Sequence, residues 1–546
     1  MIFGSLDPFV ASPSPELMIG IKVANYEFIK ALLTYGTFDE YHFFMPADFA
    51  RRNLEGAMAH WDLKESLGQR IKFFNLLDLK QALGQNHYHV FHQGDFMTYF
   101  PALCHFRNRY AAHPFPITGV THTLSYSKNM LKYAEINASH AIQPYDAIIC
   151  TSNTAIDVLK NAFGALKKRT QADHTFAGQF QRIALGIDTN RFKPRDKNAC
   201  RTQLGLAPDK LIFLNICRFS LHKKMDLYPL LTAFKAVLTR LKNDKPFLLL
   251  AGSDDVNYIP LLEDFATRLG IRAHVGFKKN FSNAEAAMLY SAADIFVSPS
   301  DNLQETFGLS VVEAMASGLP VVVSDFDGYK DLVEDKVDGF RIPVVSAPCV
   351  DTVSELGSLL FKDIAHLYYA QSTAIDIEQM VTALVDLALN EKKRLDMGVN
   401  AARSAREKFS WKNVIHRYEA VWKNLNDRAQ THHDSDAAKN DPYALDYSAI
   451  FKDYASITLG DQHQVATSPF GQDVLEGRFT FPIYPDMLNI LDTKILIQVL
   501  SIAQKDPTSI ADIINHCTQE TDSNRETVLY QIMWMLKQNM LTLSGA

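Results

Sequence analysis

The sequence predicts an α/β protein made of two doubly wound domains, with a small, mainly helical domain after them. Two observations support the α/β part. Short apolar runs alternate with helical patterns over residues 1–191, and a second series of such runs follows over 192–425. Strands that alternate with helices are typical of a parallel sheet with helices on both faces. A third observation, a mainly helical pattern over 446–546, indicates the additional domain.

Length and composition agree with this organisation. Domains usually contain about 100–200 residues, so a chain of 546 residues is too long for a single core. The net charge is −6 at pH 7, with 47% hydrophobic and 21% charged residues, as in ordinary globular proteins. These values exclude a disordered chain and a collagen-like repeat, and they argue against a globally basic nucleic-acid-binding protein.

Each of the two α/β domains has its own set of predicted strands. In the first domain, they are the apolar runs at 89–92, 116–122 and 145–153. In the second domain the runs are nearly continuous in apolar residues, as a sheet that is buried on both faces requires. They lie at 211–220, 247–253, 272–277, 293–300 and 319–325.

Two further segments belong to the second domain. An insertion near 344–380 contains apolar and aromatic residues that need burial, so we expect it to be partly helical. A helix over 407–425 closes the domain. The polar run that follows has no apolar residues except alanine, which predicts a linker at 426–445.

The C-terminal domain is predicted over 446–546. After a loop-rich stretch, its apolar periodicity indicates three helices followed by a short strand, which is the order of a winged-helix unit. Nucleic-acid binding is one use of that shape, but the segment is not rich in Lys or Arg. We therefore expect a protein partner, self-association or domain packing here, and no nucleic acid.

The sequence shows neither a signal peptide nor a run of about 18 apolar residues, and we expect a cytoplasmic protein. An amphipathic helix with a basic end, at 154–169, leaves open a peripheral contact with the inner membrane face. Packing of this helix on the first sheet is the favoured interpretation. The cysteines lack CxxC spacing and are expected to be reduced core residues. They are Cys104, Cys150, Cys200, Cys217, Cys349 and Cys517.

The stretch 298–340 is the most informative part of the sequence. A strand and a polar loop precede a helix that is predicted to begin near Phe307 or Gly308 and to end at Ser317. The free amides at the start of a helix, at the carboxyl edge of a sheet, bind anions such as a pyrophosphate. Gly308 would let the pyrophosphate approach the backbone closely.

Two carboxylates flank this predicted anion site, Glu305 before the helix and Glu313 within it. Carboxylates beside phosphates repel them unless they accept hydrogen bonds from hydroxyl groups, which sugars and riboses provide. An isolated pair at this spacing would more simply be two surface charges. Here Glu313 also opens the run EAMASGLPVV, and the whole pattern becomes specific.

This pattern closely resembles glycosyltransferase family four, also called glycosyltransferase group one. Its members are retaining nucleotide-sugar transferases of the GT-B fold, in which two Rossmann-like domains face a cleft. The resemblance covers most of residues 1–425. It implies that Glu305 contacts the donor sugar and that Glu313 binds the nucleotide ribose. It also implies that the amides of Gly308 and Leu309 face the donor phosphates.

Further donor-binding residues follow from the resemblance. The segment LNICRFSLHKKMDLYPLLTAF resembles the family segment in which an Arg and a Lys grip the diphosphate, here Arg218 and Lys223. Because Lys224 stands where the family usually has Gly, both lysines stay open as the phosphate ligand. Phe307 is expected among the donor-binding residues, and the loops around Phe277 and Glu305 are expected to select base and sugar.

Other segments resemble the rest of the family pattern. The run IALGIDTNRFKP resembles the interdomain segment and sets the domain boundary near Phe192. In the first domain His122 follows a strand, where the family commonly has an active-site His close to the reacting sugar. His92 and Asp95 are weaker candidates for the acceptor site. The opening loop, 7–20, lacks the close glycine pair that many family members have.

The resemblance implies transfer of a sugar from a nucleotide diphosphate sugar, UDP- or GDP-linked, to a hydroxyl of a glycan, lipid-linked or small-molecule acceptor. The anomeric configuration would be kept by a front-face substitution. His122, Glu305, Arg218 and Lys223 are the expected catalytic residues, and no metal or other cofactor is expected. The acidic pair at 254–255 is interpreted as a solvated turn.

Two alternatives stay open. One is a synthase that uses a free or phosphorylated sugar as acceptor. The other is a non-catalytic nucleotide-sugar-binding protein whose C-terminal domain engages a partner.

Overall fold

The computed structural model describes residues 1–7, 9–10, 20–45, 48–171, 173–241, 246–357, 359–360, 363–432, 445–488, 490–521 and 523–544. The chain divides into two compact units, Met1–Pro442 and Tyr443–Ala546. The first unit contains two parallel sheets, each with helices packed on it.

The first sheet has seven parallel strands in the order β3-β2-β1-β4-β5-β6-β7. Its strands are β1 (Ile2–Ser5), β2 (Glu40–Met45), β3 (Ile71–Asn75), β4 (Tyr88–Gln93), β5 (Ile117–Val120), β6 (Ala147–Cys150) and β7 (Gln179–Arg182). Its helices are α1 (Ile21–Tyr35), α2 (Asp48–His60), α3 (Lys64–Leu67), α4 (Leu79–Gln85), α5 (Phe96–Tyr110), α6 (Asn129–Ala138) and α7 (Asn153–Thr170).

The three apolar runs predicted as strands in this domain correspond to β4, β5 and β6. A hydrophobic core lies on each face of the sheet, one around Phe3 and the other around Phe91, which is why the central strands consist of apolar residues. Helix α7 buries Leu159 and Phe163 in the second of these cores. The apolar face of the amphipathic segment therefore packs on the sheet, and its basic residues stay exposed.

The second sheet has six parallel strands in the order β10-β9-β8-β11-β12-β13. Its strands are β8 (Leu211–Ile216), β9 (Pro246–Gly252), β10 (Val275–Lys279), β11 (Ile295–Ser298), β12 (Val321–Ser324) and β13 (Gly339–Ile342). Its helices are α8 (Lys197–Leu204), α9 (Tyr228–Arg240), α10 (Ile259–Arg268), α11 (Asn283–Ala292), α12 (Leu309–Ala316) and α13 (Tyr329–Leu332).

The strand order of this sheet reverses between β8 and β11, which lie side by side although they are not consecutive. In open α/β sheets, ligands bind beyond the carboxyl ends of the strands at such a switch point. The loop after β8 contains Arg218, and the loop after β11 contains Glu305. The topology therefore brings the two predicted donor-binding segments together.

The predicted insertion contains helices α14 (Asp351–Glu355) and α15 (Ile364–Ala370) between two short antiparallel strands, β14 (Val344–Ser346) and β15 (Thr373–Ile375). Helices α16 (Ile377–Leu389) and α17 (Glu391–Phe409) follow.

The last helix of the first unit, α18 (Trp411–Ala429), begins after Ser410 and places Trp422 in the core around Phe3. It thus returns to the first domain. The sequence predicts one closing helix at 407–425. In the structure, α17 ends at Phe409 and α18 begins after Ser410, and α18 runs four residues beyond the predicted end, to Ala429. The greater part of the predicted linker, 433–444, lies outside the described residues.

The second unit contains helices and one small sheet around its own core. The antiparallel strands have the order β17-β16-β18. The elements are α19 (Tyr447–Ile450), β16 (Gln464–Thr467), α20 (Pro469–Leu475), α21 (Thr493–Ile502), β17 (Thr508–Ser509), α22 (Ile510–Glu520), α23 (Arg525–Lys537) and β18 (Leu541–Ser544). The predicted three helices and short strand correspond to α21, α22, α23 and β18.

All six cysteines are free, and five are buried as expected. Cys349 is the exception: it is exposed beyond β14, so its assignment to a core is wrong. Among the described residues, the search for an apolar helix long enough to cross a lipid bilayer finds none.

Candidate functional site

Helix α12 begins one residue after Gly308, whose φ of 108° lies in the left-handed region. A Cβ at this position would also overlap the Tyr329 ring, whose hydroxyl hydrogen-bonds the Ser298 hydroxyl at 2.9 Å. Both the backbone and the space therefore require glycine here. The consequence is a helix start with no capping side chain, whose first amides are available to an anion.

The side chain of Phe307 lies in the hydrophobic core and does not face the cleft. It is 3% exposed and packs edge-to-face on Phe409, with 6.1 Å between the ring centroids. The assignment of Phe307 to donor binding is therefore wrong for its side chain. Its backbone amide points to Glu305 instead, 3.4 Å from Oε1. Phe307 anchors the loop in the core, so that the preceding residues project outwards.

Glu305 and Lys224 form an ion pair across the switch point, with 2.9 Å between Oε2 and Nζ. Burial alone would raise the pKa of Glu305. The Lys224 ammonium and the amides of Phe307 and Thr306 more than offset that effect and hold the pKa below its ordinary value. Glu305 is therefore ionised at neutral pH and accepts hydrogen bonds.

Lys223 does not contact this loop; it pairs with Asp363 of the insertion at 3.0 Å. The amides of Lys223 and Lys224 both bond to the Ser220 carbonyl in one tight turn. Successive side chains of a helical turn point about 100° apart, so only one lysine can face Glu305. Of the two lysines left open by the sequence, the structure brings Lys224 to the donor loop.

Arg218 follows β8 and is half-buried near Tyr126 of the first domain. Within the part of the chain that the structure describes, its guanidinium has no hydrogen bond or ion pair. A partly desolvated guanidinium of this kind is suited to bidentate binding of a phosphate. Asn302 connects the loop after β11 to the loop after β8, because its side-chain amide donates to the Leu221 carbonyl at 3.1 Å.

Glu313 accepts a hydrogen bond from the Tyr290 hydroxyl at 2.9 Å. Burial raises the pKa of Glu313 to about 7, although Tyr290 and Arg191 oppose that shift. The carboxylate lines a small cavity together with Leu309, Arg191 and Glu27. Glu27 comes from α1 of the first domain and lies 3.5 Å from Arg191, so both domains build this cavity. No motif or spacing in the sequence points to Glu27.

The two domains meet beside the donor loop. The Ser152 hydroxyl, at the start of α7, donates to the Thr306 carbonyl at 3.0 Å. The Asn153 amide donates to the Asp331 carboxylate at 2.5 Å, which places an acidic side chain of one domain at a helix N-terminus of the other. The carboxyl edges of the two sheets therefore face each other across one cleft.

His122 lies two residues beyond β5, at this edge of the first sheet. Its Nε2 is 2.6 Å from the Gly94 carbonyl oxygen. A carbonyl only accepts, so Nε2 carries the proton and Nδ1 is left as an acceptor. Burial lowers the pKa of His122, against the opposing effects of Gly94 and Asp95, and the ring is neutral at pH 7.

His92, by contrast, lies within β4 and is fully buried. Its Nδ1 is 2.8 Å from the Thr118 hydroxyl, which also accepts from the Trp422 indole at 3.0 Å. Burial lowers its pKa to about 3. His92 is a core residue, so its assignment to an acceptor site is wrong. Asp95 caps α5 by accepting from the Met97 amide at 2.9 Å.

Two other predicted features are placed as follows. Phe277 is half-buried on the edge strand β10, where its ring lies edge-to-face on Phe219, next to Arg218. Asp254 is not a solvated residue: its carboxylate accepts from the Tyr258 and Ile259 amides and thereby caps α10. Among the described residues, no group of three or more His, Cys, Asp or Glu side chains could hold a metal ion.

The sheet of the second domain lies in a segment that matches a known protein family. Residues 196–349 match the family model of glycosyl transferases group 1. This segment of the second domain is therefore similar to glycosyl transferases group 1. The matched segment contains β8 to β13, and with them Arg218, Lys224, Glu305 and Glu313.

Curated relatives of the group 1 domain include the alpha-monoglucosyldiacylglycerol synthase of Streptococcus pneumoniae, 30% identical over 211 residues (39% of this chain and 44% of the relative). The D-inositol 3-phosphate glycosyltransferase 2 of Catenulispora acidiphila is 35% identical over 167 residues (30% and 38%). The matches therefore cover less than two thirds of these relatives. They do not favour the non-catalytic alternative.

Among solved structures, Anabaena Alr3699/HepE in complex with UDP aligns with a TM-score of 0.50 at 18% identity. The alignment covers 78% of this chain and 99% of that chain. This likeness concerns the fold: two Rossmann-like domains that face a cleft, as in the GT-B architecture.

Proposed function

We propose that this protein is a retaining glycosyltransferase that moves a sugar from a nucleotide diphosphate sugar to an acceptor hydroxyl without a metal ion. One observation carries the proposal: the uncapped start of α12, the Lys224–Glu305 pair and Arg218, whose guanidinium has no partner among the described residues, all lie at the switch point of the second sheet. Residues 192–425 would bind the donor, and residues 1–191 would bind the acceptor.

Each of these residues receives a role in the proposed reaction. The amides of Gly308 and Leu309, together with Arg218, bind the donor diphosphate. Lys224 stabilises the charge that develops on the departing phosphate, and it replaces the predicted Lys223 in this role. Because these cations and amides neutralise the leaving group, no metal ion is needed.

Glu305 accepts a hydrogen bond from a hydroxyl of the donor sugar, for which its lowered pKa keeps it ionised. Glu313 accepts from the ribose hydroxyls. The neutral His122 ring offers Nδ1 to a hydroxyl of the transferred sugar. Departing phosphate and incoming hydroxyl share one face of the anomeric carbon, and the phosphate takes the acceptor proton as the new bond forms.

The donor we propose is a UDP- or GDP-sugar, and the fold neighbour from Anabaena supports UDP as the first candidate because it holds UDP. The names of the curated relatives refer to a glucosyldiacylglycerol and to an inositol phosphate, and we carry over to this chain only what these have in common, a hydroxyl-bearing molecule as acceptor. We infer that residues 446–546 form a winged-helix-like unit for a protein partner or self-association, since three helices surround a small antiparallel sheet there.

A thermal-shift panel of UDP-, GDP- and ADP-sugars tests donor binding. A ligand at a hundred times its Kd stabilises a protein by about 2.7 kcal/mol, so one nucleotide class should clearly raise the Tm. The same ligand should leave the Tm of Arg218→Ala and Glu313→Ala almost unchanged. If no nucleotide sugar shifts the wild type, or if both variants respond like the wild type, the assigned donor site is wrong.

Donor affinity is expected to rise with pH around neutrality. Ribose hydroxyls donate stronger hydrogen bonds to the ionised Glu313 carboxylate than to its protonated form, and its pKa of about 7 leaves the unliganded group largely protonated at pH 6. Affinity for the nucleotide should therefore increase up to about tenfold between pH 6 and pH 8. Titration calorimetry at several pH values measures this increase. The Glu313→Gln variant should bind more weakly and without that dependence; an unchanged slope in the variant would assign the titration to another group.

A further inference from the structure

A second cluster of polar side chains lies beside the donor site, and three separate segments supply it. Ser125 and Tyr126 belong to the first-domain loop that follows His122. Gln304 precedes Glu305 in the donor loop, and Asp363 and His366 come from the insertion, at helix α15. We call these five residues the Tyr126 cluster.

Short contacts connect the members of the Tyr126 cluster. The Gln304 side-chain amide donates to the Tyr126 hydroxyl at 3.2 Å. The His366 and Tyr126 rings are in contact, with centroids 4.9 Å apart, and His366 Nε2 lies 3.2 Å from the Ser125 carbonyl oxygen. The Asp363 carboxylate pairs with Lys223 at 3.0 Å and, in addition to burial, helps as a nearby negative charge to raise the pKa of Tyr126. The insertion is therefore bonded to both domains across the cleft.

Three buried polar atoms of the cluster have no hydrogen-bond partner among the described residues: Ser125 Oγ, Gln304 Oε1 and His366 Nδ1. His366 is only 2% exposed, so bulk water does not reach its ring. A buried polar atom without a partner costs about 1–3 kcal/mol, and native proteins contain few of them. Three within one cluster in a substrate cleft indicate a place where a ligand supplies the missing hydrogen bonds.

The chemistry of these three atoms specifies what they can bind. His366 Nε2 must carry the proton because it faces a carbonyl, and burial lowers the pKa of the ring, so Nδ1 is an acceptor. The Gln304 NH2 group donates to the Tyr126 hydroxyl, and the Gln304 amide oxygen Oε1 can only accept. Ser125 Oγ can accept or donate. The cluster therefore needs a ligand that donates.

Hydroxyl groups donate hydrogen bonds, whereas a phosphate dianion or a carboxylate only accepts. An anionic ligand would place its oxygens against the two acceptor atoms. Lys223 is already paired with Asp363, so its ammonium is not left free to attract an anion. Gln304, which donates to Tyr126, directly precedes Glu305 of the donor loop, so a ligand in the cluster would lie beside the proposed donor site. This is where an acceptor must lie for transfer.

We propose that the Tyr126 cluster is an acceptor subsite that selects a neutral, hydroxyl-rich acceptor, such as a sugar or a cyclic polyol, over its phosphorylated counterpart. This inference rests on the proposed function and adds the acceptor class to it. In this proposal the insertion forms one wall of the acceptor subsite, because α15 lies opposite the donor loop and the loop of the first domain.

The test compares matched acceptors with a donor that binds. Glucose, myo-inositol and glycerol are each paired with their monophosphates, and release of the nucleotide diphosphate is measured. We expect at least one neutral member to have a kcat/KM at least tenfold higher than its monophosphate. Ser125→Ala, which removes only Oγ and keeps the carbonyl contact to His366, should raise the acceptor KM about tenfold. Its donor KM and its rate of donor hydrolysis by water should stay within twofold of the wild type.

Two further variants make the result specific. Ser127→Ala is the same substitution at an exposed position two residues away, and it should leave the acceptor KM unchanged. His366→Phe keeps a ring on Tyr126 but removes Nδ1, and it should raise the acceptor KM at least as much as Ser125→Ala.

The subsite proposal is overturned if a monophosphate is the better acceptor, if no neutral polyol raises nucleotide release above hydrolysis, or if Ser125→Ala leaves the acceptor KM unchanged. A failure of the proposed function has a different signature. In that case no nucleotide sugar shifts the Tm of the wild type, and none is cleaved with or without acceptor.

Discussion

Replacing Gly308 with alanine is expected to abolish donor binding and to destabilise the second domain. The left-handed φ of 108° is unfavourable for any residue with a Cβ, and that Cβ would overlap the Tyr329 ring. The two effects together should cost on the order of 3 kcal/mol, which corresponds to a fall in Tm of roughly 6–12 °C for a domain of this size.

Donor binding suffers in addition, because relief of the overlap moves either Tyr329 or the first turn of α12. The amides of that turn would then no longer point at the diphosphate. We expect no detectable affinity for the nucleotide by titration calorimetry at a temperature where the variant is still folded.

Gly164→Ala is the matched control for this prediction. Gly164 lies inside α7, and a Cβ there would meet no heavy atom within 4 Å. Alanine in a helix interior is favoured over glycine by about 0.5–1 kcal/mol, so the control should be slightly more stable than the wild type and should bind the donor normally. A Gly308→Ala protein that binds the nucleotide as well as this control would show that α12 does not hold the diphosphate.

The second large effect is expected from Lys224→Met, and it should greatly exceed that of Lys223→Met. Lys224 is the lysine that contacts Glu305, whereas Lys223 pairs with Asp363 of the insertion. Removal of one preorganised group that stabilises developing charge typically lowers kcat by about 10²–10³. We therefore expect kcat/KM for the donor to fall at least 100-fold in Lys224→Met and less than about fivefold in Lys223→Met.

A pH profile of the residual activity separates this role from a general loss of structure. Without Lys224, burial of Glu305 is no longer compensated and its pKa rises. At saturating donor, where the titration of Glu313 no longer limits binding, the activity of Lys224→Met should therefore increase towards higher pH more steeply than that of the wild type. Equal losses in both lysine variants, or a larger loss in Lys223→Met, would contradict the assignment of the phosphate-facing lysine.

The sequence could place the expected donor-binding residues near one another because they belong to loops whose position the topology determines. Arg218 follows one strand and Glu305 follows another, and any parallel sheet that reverses between these strands brings them together. Spacing alone could not choose between Lys223 and Lys224. The choice depends on the rotation of one short turn, which the contacts of Ser220 determine.

The two histidines of the first domain show a second limit. His92 and His122 both lie near the ends of predicted strands, but His92 is inside β4, whereas His122 is two residues beyond β5. A parallel sheet is buried on both faces, so a side chain within a strand enters the core. The exact end of a strand therefore decides between a core residue and a site residue, and apolar runs mark such ends only approximately.

Edge strands and contacts between domains were the features that the sequence predicted least well. Strand β7 has the sequence QFQR and lies at the edge of its sheet, where apolar residues are not required. Glu27 lies on a helix of the first domain and reaches Glu313 only through the packing of the two domains around Arg191. No local pattern encodes such a contact.

The most direct test of the account is to follow the donor by proton NMR in the presence of excess EDTA, with water or a polyol as acceptor. We predict that the signal of the donor's anomeric proton is replaced by a product signal. At early times, the product's coupling constant between the protons on C1 and C2 should indicate the same anomeric configuration as that of the donor. Arg218→Ala should give no product signal. A product with inverted coupling would contradict retention. Loss of the reaction in EDTA would contradict its independence of metal, and an unchanged reaction in Arg218→Ala would contradict the proposed site.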